Sequence, residues 1–157
     1  MNLRSRIIFA SLVIALATVS AAQAQEKKIK RSQLPAAVEK TVAEQSQQGA
    51  TIKGFSTEIE KGKRVYEVEM TVNGHGKDIL VDSKGNVIEV EEEVAMDSLS
   101  PAVKDGLTKA AGTGTISKIE SLTKNGALVA YEAVVKRGAK NSEIQVGPNG
   151  EKLAHPE

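Results

Sequence analysis

Leu34-Pro35-Ala36-Ala37-Val38 returns further along the chain as Leu99-Ser100-Pro101-Ala102-Val103. Outward from that stretch, Tyr66-Glu67 returns as Tyr131-Glu132, Asp78-Ile79-Leu80-Val81 as Glu143-Ile144-Gln145-Val146, and Gly85 as Gly150. All four matches keep one offset of about 65 residues, the fixed-period self-similarity of a duplicated structural unit. The register holds across a helix-like segment and several strand-like ones. It predicts an α+β fold of two tandem units over residues 33–94 and 98–157. Each has one helix and about four antiparallel strands, and the helices lie on one face of the sheet.

The periodicities carry this reading. Leu34, Ala37, Val38, Thr41, Val42 and Gln45 follow helical spacing, with Ser32 as cap, Pro35 in the first turn and Gly49 as a stop. Leu99, Ala102, Val103, Leu107 and Ala110 repeat the stripe after Ser98 or Ser100, and Gly106 within it marks a close approach to another backbone. Thr51–Glu60, Arg64–Val72, Lys77–Val81 and Val87–Val94 read as strands separated by turns at Lys61-Gly62, Asn73-Gly74 and Asp82–Gly85. Tyr66, Val68, Met70, Val72, Ile79, Val81, Ile88 and Val90 are expected inward; Glu67, Glu69, Glu89, Glu91 and Glu93 fall outward. Counterpart strands are expected near 116–123, 127–137 and 142–147, with a fourth cut short at Lys152-Leu153.

The first 24 residues read as an export signal: Arg4 and Arg6, an uncharged run from Ile7 to Val19, and a small-x-small site at Ala22-Gln23-Ala24. That run is shorter than the ~20 residues needed to span a bilayer. Cleavage after Ala24 predicts a periplasmic or secreted protein without a stable membrane span. Residues 25–32 read as a polar, frayed segment. With no cysteine, neither a lipid anchor nor a disulfide framework is available.

The full chain carries a net charge of +1. Loss of Arg4 and Arg6 leaves the remainder slightly acidic, and only Phe55, Tyr66 and Tyr131 are aromatic there. Basic excess and stacking platforms are both missing, so no nucleic-acid partner is expected. His75 and His155 stand in a turn and in the tail, without ligand spacing on a regular element. No serine lies in a nucleophile elbow, no glycine-rich loop opens a helix, and Asp82-Ser83-Lys84-Gly85-Asn86 lacks the acid that closes a calcium loop. The expectation is no catalysis, no cofactor and no metal.

What remains is the outer sheet face. Period two puts Glu67, Glu69, Asp78, Glu89 and Glu91 on the side away from the helices, with Lys63, Arg64 and Lys77 nearby. These five acids are the candidate partner-binding residues, a docking surface for a basic or mixed protein or peptide. A small-ligand or cation-binding protein without catalysis is the alternative. Oligomeric state is left open.

A helix opening Leu-Pro-Ala-Ala-Val, a Tyr-Glu-Val strand, an Asp-Ile-Leu-Val strand and an Asp-x-x-Gly turn before an apolar strand together resemble the PepSY-like, or β-lactamase-inhibitor-like, domains. The resemblance covers residues 33–93 and, more loosely, 98–153. It implies exported units, often in tandem, and a non-catalytic role of recognising or restraining a protein through a sheet face. It carries over no site residues. Unlike the secreted inhibitor that gives the family its name, this chain lacks cysteines and aromatic anchors.

Overall fold

The computed structural model describes residues 26–46 and 49–157. The export-signal reading of residues 1–24 lies outside them. Eight antiparallel strands form one open sheet in chain order: β1 (Lys27–Lys28), β2 (Ala50–Glu60), β3 (Lys63–Val72), β4 (His75–Asp82), β5 (Val87–Glu93), β6 (Thr115–Lys124), β7 (Ala127–Arg137) and β8 (Lys140–Val146). Helix α1 (Ala36–Gln45) precedes β2, and α2 (Pro101–Ala111) connects β5 to β6. The fold is thus α+β. Among the described residues no helix is long and apolar enough to cross a membrane.

The strand ends follow the turn residues: Lys61, Asn73 and Asn125 take positive φ, each followed by a glycine that does the same. Ser100 caps α2 by accepting the Val103 N–H at 3.4 Å, with Pro101 in the first turn. At α1 the expected Ser32 cap is absent. Ser32 sits in a 3-10 turn, Arg31–Gln33, and Pro35 takes the cap position without a side-chain bond. Arg31 holds the first turn instead, donating to both Glu39 oxygens at 2.7 to 3.1 Å. Lys27 and Lys28, in the stretch read as frayed, pair with Thr57 and Ser56, and Ile29 packs against the first core.

Both helices cover the same sheet face. Val38 and Val42 of α1 pack on Tyr66, Val68, Met70, Ile79 and Val81. Leu99, Val103 and Leu107 pack on Ile119, Ala133 and Val146. Val90 joins the first core, and Val94, four residues on, joins the second. Ile88 does not point inward as its parity suggests: a bulge opposite Leu80/Val81 pairs Val87 with Val81, and Val87 takes the inward place. The fourth strand expected after β8 reduces to a single bridge, Val146 to Lys152.

Two glycine turns lock onto the helices. Gly85 (φ +88°) leaves so little room that a Cβ would lie 2.7 Å from the Ala37 carbonyl oxygen. Gly150 (φ +79°) lies closer still to the Ala102 carbonyl, and Gly106 of α2 meets the Gly150 backbone, the close approach its place in the helix predicts.

Candidate functional site

Strand alternation leaves the opposite sheet face to the polar side chains, and register aligns them in rows across the sheet. One row runs Gly54, Glu69, Asp78, Glu91, Leu122, Ala130. The next runs Ser56, Glu67, Leu80, Glu89, Lys124. On the other side lie Glu93, Glu120, Glu132 and Gln145. Facing carboxylates on adjacent strands repel, so this arrangement costs the fold energy.

All five sequence-selected acids stand on this face. Glu67, Asp78, Glu89 and Glu91 line a groove of about 230 Å³ floored by Leu80, and Glu26 and Glu58 complete its wall. Glu69 lies beside it, 3.6 Å from the Lys28 ammonium. Glu67 accepts from the Ser56 hydroxyl at 2.6 Å, and that serine is buried.

Sequence reasoning passed over Glu120, 7 % exposed on a face that no helix covers. The alternation Lys118, Glu120, Leu122 in β6 was its available signal. Two of the three cations expected beside these acids differ from expectation, while Lys63, opposite Glu60, keeps the open-face parity. Lys77 pairs with Met70 and Glu92, and Arg64 with Ile59, so both belong to the helix-bearing face. The open face draws instead on Lys28, Lys118 and Lys124, the last 3.5 Å from Glu89.

The electrostatics follow from burial and crowding. Burial first, then the fields of Glu67 and Glu120, push the Asp78 carboxyl up to about 6. Burial, then Glu120 and Glu132, push Glu91 up to about 7. Glu132 and Glu58 are raised as well, burial again being the leading cause. Burial alone would lower the Lys118 ammonium, but its bond to Glu120 and the fields of Glu120, Asp78 and Glu93 hold it above the ordinary lysine range.

Two sets of three carboxylates bring oxygens within 4.8 Å of one another: Glu26, Glu67, Glu69 and Asp78, Glu91, Glu120. In each a lysine of the chain already supplies a countercharge, Lys28 on Glu69 and Lys118 on Glu120, the latter at 2.6 Å. Gln145 binds Glu132 at 2.7 Å. Among the described residues no buried side-chain polar atom lacks a partner. Chemically, the face can take up protons or receive positive charge.

No family model matches the chain, and no curated protein matches it. Solved structures share the fold. A DUF2874 family protein from Bacteroides ovatus superposes with a TM-score of 0.61 at 14% identity, covering 77% of this chain and 85% of that one. A protein of Bacteroides eggerthii, described as a candidate periplasmic protein, gives 0.62 at 14% identity over 76% and 86%. A BLIP-like protein from Bacteroides fragilis gives 0.56 at 20% identity over 76% and 83%. At the coarse level the chain therefore has a β-lactamase-inhibitor-like fold.

Proposed function

We infer that this chain is an exported, non-catalytic binding module of the PepSY-like type, which acts in the periplasm or outside the cell. It recognises or restrains a basic protein segment through its open sheet face. The observation that carries this reading is the convergence of Glu67, Asp78, Glu89 and Glu91 from three adjacent strands on one groove, on the face opposite both helices. Such a face invites a partner that supplies positive charge, since complementary potentials steer encounter and fix register. The tandem organisation belongs to the same reading. It is supported by helices starting at Ala36 and Pro101, strands starting at Ala50 and Thr115, and glycine turns seated on Ala37 and Ala102.

The test is capture from a cell-envelope extract by the chain and by its Glu67→Lys/Glu69→Lys variant. The captured protein is then purified and bound again to both. A partner held by the parent and lost by the variant, with thermal unfolding still cooperative in both, supports the reading. Equal retention overturns it. Calcium added to the free chain tests the small-ligand or cation alternative, because a ligand held only by the native state raises Tm with its concentration.

A further inference from the structure

We propose that the open face is a proton-gated docking centre: Asp78 and Glu91, facing each other across β4 and β5, take up protons in the free chain, and a docking cationic side chain must expel them, so that acidification releases the partner. The inference rests on the docking reading above and adds its regulation.

The argument begins with geometry. Asp78 and Glu91 face each other directly on β4 and β5, near the middle of the eight-stranded sheet. Charged groups reach them from every neighbouring element. From β3 come Glu67 and Glu69, and from β6 Glu120 and Lys118. Glu89 and Glu93 flank Glu91 on its own strand, and Glu132 approaches from β7. Outside this circle Glu58 stands on β2 and Glu26 beside β1.

Three ammonium groups of the face are already committed among these acids. Lys118 is on Glu120, Lys124 on Glu89 and Lys28 on Glu69. Glu67, Glu93 and Glu132 also lack a cation but accept hydrogen bonds from Ser56, the Gly76 N–H and Gln145. Among the described residues Asp78 and Glu91 have neither a cation nor a hydrogen bond, and they lie deeper than Glu58, which shares that lack; burial makes such an unpaired charge costly. A proton is the smallest positive charge that relieves them. That is the physical content of midpoints near 6 and 7 in place of the usual carboxylate range.

A lysine or arginine of a partner relieves the same strain in another way and cannot share the site with the proton. The proton leaves to solvent as the ion pair forms, with no other chemistry required. Linkage then fixes the sign. If docking releases protons, added protons weaken docking by the same coupling. Each linked proton contributes a slope of up to one logarithmic unit in Kd per pH unit below its midpoint, so about tenfold weakening is expected from pH 8 to pH 6.

The experiment has two arms on the same protein. Carbon-detected NMR of the side-chain carboxyls follows Asp78 and Glu91 through a pH titration of the free chain. Calorimetry with octalysine at pH 8 and pH 6, in buffers of different ionisation enthalpy, measures affinity and proton release. Expected are midpoints well above the ordinary range for both carboxyls, and release of protons on binding. Octalysine affinity should fall by about tenfold at pH 6, and that fall should flatten in Glu91→Gln and in Asp78→Asn. Glu44→Gln, which removes an equal charge from helix α1, should behave as the parent does.

Midpoints at ordinary carboxylate values overturn the gate, and octalysine binding of equal strength at both pH values overturns it too. A loss in Glu44→Gln as large as in Glu91→Gln also overturns it, because binding would then follow total charge. High midpoints with no octalysine bound even at pH 8 refute the docking reading itself, and the gate falls with it.

Discussion

Glu91 is half-buried among like charges, and its folded-state midpoint of about 7 stands above its usual 4.5. The native state therefore binds a proton that the unfolded chain has already lost. The favourable contribution is complete below about pH 4 and disappears as pH rises through 7. Asp78 repeats the pattern between 3.8 and about 6. Glu91→Gln removes the charge but keeps the shape. It should raise Tm by several degrees at pH 8, on the order of 1–2 kcal/mol once solvent screening of a half-exposed group is allowed for, and leave Tm nearly unchanged at pH 4. Thermal unfolding at the two pH values checks it, and an equal gain at both would point to packing as the cause. Glu67 predicts the opposite outcome: Glu67→Ala strands the buried Ser56 hydroxyl and should cost about 1–3 kcal/mol in denaturant unfolding. Period-two alternation was enough to place Glu67, Glu69, Asp78, Glu89 and Glu91 on one face. It could not foretell that Glu120 is buried there, because that depends on which strand lies beside β5, although the Lys118–Glu120 pair, two residues apart on β6, was open to the same alternation.

Turns and caps, at the scale of the element, are held by backbone geometry more than by side-chain area. Gly62 and Gly150 share φ +79°, yet a Cβ on Gly62 meets nothing within 4 Å, whereas one on Gly150 meets the Ala102 carbonyl. Gly62→Ala should therefore cost about 1–2 kcal/mol, the left-handed penalty alone. Gly150→Ala should cost clearly more, since the turn must also lift off α2. Denaturant unfolding of the two variants isolates the close approach, and equal losses would mean that the turn yields freely. The strand ends were legible because Gly62, Gly74, Gly85 and Gly126 mark them. Helix α1 was less so: Ser32 has a capping side chain, but the Arg31–Glu39 pair and the 3-10 turn bring the chain into the helix at Pro35. The bulge that turns Val87 inward in place of Ile88 left no trace in the composition of β5. Either residue could fill that place, and pairing with β4 decides between them.

For the whole molecule the decisive contact is β5 with β6, the ladder from Glu89–Lys124 to Glu93–Glu120 that joins the sheet under α1 to the sheet under α2. No local pattern announces that pairing, because α2 intervenes between the two strands. The chain supplies its own reporters for the coupling, having no tryptophan and two tyrosines. Tyr66 belongs to the first core, and Tyr131 packs against the second. Units of ~60 residues bury too little surface to be robust alone, so the two cores should unfold together. In Tyr131→Phe the fluorescence of Tyr66 reads the first core, and in Tyr66→Phe that of Tyr131 reads the second. Each denaturant midpoint should coincide with the one measured by circular dichroism on the same variant. Met70→Ala and Leu107→Ala each empty a fully buried site in one core. Each should cost about 2–5 kcal/mol and move both tyrosine transitions by the same amount. If Leu107→Ala shifts the Tyr131 transition and leaves that of Tyr66 in place, the β5–β6 ladder does not transmit stability. The acidic face would then have to be treated as two surfaces that can lose their order separately.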